Sequence, residues 1–248
     1  MREIVLDTET TGFDPFRGDR IVEIGCVELY NHMPTNNTFH VYINPERGMP
    51  DEAFGVHGIG PDLLEPPRDP KPGSGEVTLR DKPVFSKVGQ DFYDFVGSDA
   101  KLVIHNASFD MKFLNYELDL MGLPKLPMDR AIDTLGIARQ KFPGSPATLD
   151  ALCRRFGIDN SNRSLHGALL DSEILAEVYL ELIGGRQPDF ALASATTAKS
   201  SGGTNDSDWR PFPRPAPLPS RLTNEEAAAH QAFVDKMGDG ALWNKLSD

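Results

Sequence analysis

Leu6-Asp7-Thr8-Glu9-Thr10-Thr11-Gly12 continues the apolar run Ile4-Val5. The apolar run reads as a buried strand, and Gly12 with Asp14-Pro15 marks the turn that ends it. Side chains two apart along a strand point to the same face, so Asp7 and Glu9 stand side by side. Two neighbouring carboxylates repel unless a positive charge lies between them. A hard divalent cation held by carboxylate oxygens is the usual resolution. The stretch therefore reads as half of a metal site at the end of a buried strand.

Working outward, residues 21–29 are rich in β-branched side chains and residues 38–44 alternate, which with the first strand predicts an antiparallel three-strand meander. Asp51-Glu52-Ala53-Phe54 reads as a short helix leading into Val56-His57-Gly58. Residues 65–83 are rich in Pro, Gly and charge, with Val77 and Leu79 as their apolar content, and read as a surface loop or small flap. Apolar residues at 84, 85, 88, 92, 95 and 96 share a helical face. Leu102-Val103-Ile104 is a short buried strand, followed by a helix capped by Ser108 and running to about Met121. Ala131-Ile132-Asp133-Thr134 reads as a further strand, with helices near 134–141, 148–156 and 167–183.

The chain has 248 residues and a net charge of −12, which argues against a protein that grips nucleic acid through a basic surface. It leaves room for an enzyme that binds a polynucleotide end through metal ions. Cys26 and Cys153 each lie in an apolar-periodic segment and read as buried free thiols. No apolar run reaches the roughly 18 residues of a membrane span, and no secretory leader is expected, so the default location is the cytoplasm. After Gly184 the composition changes. Residues 185–222 carry Gly, Ser, Thr and Ala runs and then alternate prolines from Pro211 to Pro219, a flexible linker that buries too little apolar surface to fold. Thr223-Asn224-Glu225-Glu226 opens a final helix with Phe233, Val234 and Met237 on one face, and Trp243 follows it. The expected organisation is thus a domain over 1–184, a linker over 185–222 and a terminal segment over 223–248.

Two more polar clusters join the first. His105-Asn106-Ala107-Ser108-Phe109-Asp110 lies where a strand runs into a helix, a common place for functional groups in α/β folds. The other is His166-Gly167-Ala168-Leu169-Leu170-Asp171. Five residues on a continuous helix turn through about 140°, so His166 and Asp171 would not share a face there. They converge only if His166 lies in the loop before the helix and Asp171 one turn inside it, a break that Gly167 suits. Taken singly, Asp110 reads as a helix cap, His105 as a hydrogen-bonded structural histidine and Asp133 as structural. Asp171, among Leu170, Ile174 and Leu175, resists a bland reading, because an unpaired acid on a core-facing helix is destabilising.

The three clusters in this order resemble the DEDD-type 3′–5′ exonucleases with a histidine in the third motif. Val56-His57-Gly58-Ile59, Val103-Ile104-His105-Asn106-Ala107, Leu149-Asp150-Ala151-Leu152-Cys153 and Leu165–Asp171 are similar to the proofreading (epsilon-type) subunits of bacterial replicative DNA polymerases. The resemblance implies an α/β ribonuclease-H-like fold, a mixed five-stranded sheet flanked by helices. It implies two divalent cations, Mg²⁺ or Mn²⁺: Asp7, Glu9 and Asp171 would hold one, while Asp7 would bridge to a second supported by Asp110. His166 would be the general base. Asp7, Glu9, Thr10, Glu52, Val56, His57, Asn106 and Phe109 would bind the terminal nucleotide of a DNA 3′ end, released as a 5′-monophosphate. Gln187, Phe190 and Leu192 within 187–192 resemble a sliding-clamp peptide. Phe233, Val234, Met237 and Trp243 resemble the tail that anchors such a nuclease to its polymerase alpha subunit, and the family also allows a small theta-like accessory subunit. The alternatives are a 3′–5′ exoribonuclease of the same superfamily and a non-catalytic scaffold bridging clamp and polymerase.

Overall fold

Strand β1 (Arg2–Thr10) is the middle strand of a five-stranded sheet in the computed structural model, which describes residues 1–161, 165–185 and 222–238. β2 (Ile21–Tyr30) pairs antiparallel with β1, and β3 (Met33–Tyr42) pairs antiparallel with β2. On the other side β4 (Lys101–Ile104) runs parallel to β1, and β5 (Ala131–Asp133) parallel to β4. The order is β3-β2-β1-β4-β5, the mixed sheet that the sequence implied.

The alternation of β1 sorts its residues between two helical layers. Ile4 and Leu6 enter a core shared with α2 (Phe85–Val96) and α3 (Ala107–Leu120). Val5 enters the opposite core, shared with α4 (Thr134–Lys141), α5 (Leu149–Phe156) and α6 (Ala168–Leu182). Because both faces are covered, the runs Ile4–Leu6 of β1 and Leu102–Ile104 of β4 are continuously apolar rather than alternating. Cys26 and Cys153 are buried free thiols, as expected.

β3 begins five residues before the expected start at 38. Asn31 and His32 both take positive φ (49° and 67°), the geometry of a tight two-residue hairpin turn. The hairpin therefore extends through residues 33–38, whose exposed side chains carry no apolar alternation. The start of α3 also differs. Ser108 lies inside the helix, and the cap position is Asn106 in a left-handed conformation. Asp133 Oδ1 supplies the acceptor, taking the N–H groups of Asn106 (3.0 Å) and Ala107 (3.4 Å) while also capping α4 through Leu135 N–H (3.1 Å).

Residues 65–83 form no helix or long strand, yet they are tied down. Leu79 is fully buried with Val22, Met49, Ile59 and Leu64 in a third small core beside the short helix α1 (Asp51–His57). Gly60 N–H donates to Val77 O (2.5 Å) and Val77 N–H to Gly58 O (3.0 Å), a parallel bridge. Arg68 grips Glu76 with both guanidinium branches (2.7 and 2.6 Å), which holds the Glu76 carboxyl down at about 2.

The helix α7 (Asn224–Met237) starts with Thr223 and Glu226 satisfying each other's backbone N–H groups, a capping box. Phe233 and Met237 are exposed and Val234 is buried. Gln187, Phe190, Leu192 and Trp243 lie outside the described residues. Among the described residues no helix is long and apolar enough to cross a membrane.

Candidate active site

The parity that builds the core also builds the site. Asp7 and Glu9 share the β1 face of Val5, which is covered by α6, the helix carrying Asp171. Thr8 points the other way, toward α3, and meets Asp110 there. Asp110 Oδ1 accepts from Thr8 N–H at 3.1 Å and from Thr8 Oγ1–H at 2.7 Å. The acid brought by α3 is thus locked to the backbone between the two acids brought by β1.

His166 and Asp171 converge in the way that helix geometry requires. Gly167 is extended (φ −150°, ψ 123°) and α6 begins at Ala168, so His166 precedes the helix. Asp171 N–H closes the first turn onto Gly167 O at 2.8 Å. The His166 ring then comes back over that turn, with Nδ1 3.4 Å from Asp171 Oδ2. Ligand atoms of Glu9, His166 and Asp171 lie within 4.8 Å of one another. The loop is held at its other end, where His166 N–H donates to Val56 O at 3.2 Å.

These acids are crowded in a buried place. Asp110 is 2% exposed and Asp171 3%. Burial, then the charges of Asp110, Glu9 and Asp171, push the Asp7 carboxyl well above its usual range. Burial raises Asp110 to about 7 against the pull of its Thr8 hydrogen bonds. A divalent cation bound here would relieve this mutual repulsion. The donors that Asp7, Glu9, Asp110 and Asp171 offer are carboxylate oxygens, a set that fits a hard divalent ion.

A cleft of about 920 Å³ opens beside the acids. Asp7, Glu9, Asn106, Phe109, Asp110, His166 and Asp171 line it, with His105 at its edge holding Thr134 Oγ1 through Nδ1 at 3.0 Å. Phe109 is partly buried against the core, with Phe13 edge-on to it at 6.5 Å. Phe13, 82% exposed, borders both this cleft and a neighbouring depression lined by Glu52.

His57 stands behind this surface. It is buried, its Nδ1 accepts from Ile59 N–H (3.0 Å), and its Nε2 donates to Thr10 O (3.3 Å). Both nitrogens are engaged by backbone, and burial lowers the ring to about 4, so it is neutral. Thr10 is itself buried, its hydroxyl donating to Gly12 O at 2.6 Å. The Val56 side chain is exposed. Three contributors were not visible in the sequence: Thr8, which anchors Asp110; Asp133, which fixes the start of α3; and Arg139 of α4, a cation on the cleft wall.

A family model described as exonuclease (RNase T) matches residues 4–71 and 73–179. The DNA polymerase III epsilon subunit of Rickettsia felis is 47% identical over 240 residues, covering 96% of this chain and 97% of that protein. The Escherichia coli epsilon subunit is 43% identical over 257 residues, covering 98% and 97%. Among solved structures, exonuclease X in complex with 5′ overhanging duplex DNA is 26% identical with a TM-score of 0.52, covering 73% of this chain and 90% of that one. The nuclease domain of the DEDDh family member 3′hExo, bound to rAMP, shares the fold at 22% identity and a TM-score of 0.56, covering 73% and 91%. With the acids and histidine gathered at one end of β1 and near-full-length identity to these relatives, the chain belongs to the exonuclease family and, within it, to the epsilon subunits of DNA polymerase III.

Proposed function

We propose that this chain is the proofreading 3′–5′ exonuclease of a bacterial replicative DNA polymerase, hydrolysing mismatched 3′-terminal nucleotides to 5′-monophosphates. The observation that carries the reading is the convergence of Asp7, Glu9, Asp110, Asp171 and His166 beside one open cleft. Asp7, Glu9 and Asp171 would hold one Mg²⁺ or Mn²⁺, and Asp7 with Asp110 a second. Ions held there would supply charge neutralisation on the scissile phosphate and on the attacking and leaving oxygens.

The remaining roles belong to side chains. His166 is half-exposed at the cleft, where it can reach a water molecule. With Nδ1 turned toward Asp171 Oδ2 at 3.4 Å, Nε2 would be the atom that takes the proton of the attacking water. Phe109 and Phe13 offer apolar faces to the terminal base, and Asn106 a polar edge to the strand. His57 would act through Thr10, whose carbonyl it holds at 3.3 Å, and Glu52 and Val56 would contact the terminal nucleotide. Arg139, on the cleft wall, would face the phosphates.

The net charge of −12 fits a nuclease that receives its DNA from a partner. Residues 187–192 would dock on the sliding clamp, and residues 223–248 on the polymerase alpha subunit. Such a tether raises the local concentration of the nuclease without fixing its orientation. A theta-like subunit would bind the nuclease domain. The test is hydrolysis of paired and mismatched 3′ ends in Mg²⁺. The mismatched end should be cut faster, releasing monophosphates, and Asp7→Ala should abolish release. Robust hydrolysis by Asp7→Ala would overturn the site.

A further inference from the structure

α6 has an uncapped start. Its N-cap residue is Gly167, which has no side chain to take the orphan N–H groups of the first turn. The acceptor comes from β2. Glu23 is 1% exposed, and its Oε2 accepts the N–H of Ala168 at 3.0 Å. A carboxylate at this position also suits the positive end of the helix. The other oxygen, Oε1, is held by His40 Nε2 at 2.7 Å.

The same strand face makes two more contacts to this turn. Gly25, two residues on, lies so close beneath it that a Cβ would stand 2.2 Å from the Ala168 carbonyl carbon and the Leu169 nitrogen. Gly25 O accepts from Ser172 Oγ–H at 2.9 Å. β2 thus cradles residues 168–172, the turn that contains Asp171 and begins two residues after His166.

We propose that Glu23 is a positioning residue for the hydrolysis. It sets the first turn of α6, and through that turn the stance of the Asp171 carboxylate and the His166 ring against Asp7 and Glu9. The inference rests on the reading of Asp171 as a metal ligand and His166 as the base. Misplacing a reacting group by about 1 Å can lower a rate about 100-fold, and groups that orient ligands are typically worth ~10–100-fold in metal affinity or activity.

The test compares full-length Glu23→Ala, Glu23→Gln, His40→Ala and Asp171→Asn by exonuclease kinetics, Mn²⁺ titration and thermal melting. Glu23→Ala should lower kcat at least ~10-fold and weaken Mn²⁺ binding by a similar factor, with KM for the DNA end little changed. Glu23→Gln keeps an oxygen for Ala168 N–H and should recover most of the loss. If Glu23→Ala does not fold, His40→Ala decides: a several-fold drop in kcat at constant KM supports the proposal, and wild-type kcat overturns it. Wild-type kcat and Mn²⁺ affinity in Glu23→Ala, or Glu23→Gln no better than Glu23→Ala, also overturns it. An active Asp171→Asn overturns the site reading itself, whereas an inactive Asp171→Asn beside a fully active Glu23→Ala removes the positioning role alone.

Discussion

Replacing Asp110 by Asn should stabilise the metal-free protein at pH 8 and leave it nearly unchanged at pH 4. The amide keeps an oxygen for Thr8 N–H and Thr8 Oγ1–H, so the anchoring bonds survive while the charge goes. The Asp110 carboxyl is raised from 3.8 to about 7, so between those values the folded state binds more protons than the unfolded chain. Stability then falls as pH rises, by about 1.4 kcal/mol per pH unit. Over these roughly three pH units the loss is on the order of 4 kcal/mol, an upper value because Asp7 shares the proton. Below pH 4 both states are protonated and the term vanishes. His57, lowered to about 4, works in the opposite direction between 4 and its ordinary 6.5, but it is common to both proteins and cancels in the difference. The assay is urea unfolding of wild type and Asp110→Asn in a chelator from pH 4 to pH 8. The variant's advantage should grow through pH 5–7 to a few kcal/mol and shrink when Mn²⁺ is added. An advantage independent of pH, or a variant less stable at pH 8 without metal, would refute the argument that burial and crowding hold this acid up.

Gly25→Ala should destabilise the fold by about 1–3 kcal/mol, typical of overpacking, and depress the exonuclease rate more than stability explains, because the added Cβ pushes on the turn of α6 that bears Asp171. Denaturant unfolding beside activity per folded molecule checks it. Tyr179→Phe removes the 2.8 Å hydrogen bond to buried Glu3 at the far end of β1. It should cost about 1–3 kcal/mol with the rate constant intact, read by the same pair of assays. Deleting residues 209–248 should leave hydrolysis of free 3′ ends nearly unchanged and abolish co-purification with the polymerase; retained co-purification would place that docking surface elsewhere.

The parts of this fold legible in the sequence are those governed by local periodicity. The alternation of β1 already places Asp7 with Glu9, and the 100° step of a helix already demands that Gly167 break the chain between His166 and Asp171. Contacts between distant segments are not legible in this way. Asp133 reads as an ordinary strand-end acid because the helix it caps, α3, begins 26 residues earlier, at Ala107. Glu23 reads as a polar residue in a strand because Ala168 is 145 residues away. Residues 65–83 read as a loop because one buried side chain, Leu79, carries little periodic signal, though with the Val77 bridge it ties the segment to the body. Thr8 looks like a spacer between two acids until the sheet shows that its side chain faces α3.

The end of β1, with Asp110 and Asp171, is proposed to hold the ions on which hydrolysis depends. Calorimetric titration of Mn²⁺ into the full-length chain with a bound nucleoside 5′-monophosphate tests it most directly. The wild type should bind two ions per chain, with at least one site lost in Asp7→Asn and in Asp171→Asn. Two tight sites persisting in either variant, or none in the wild type, would contradict it.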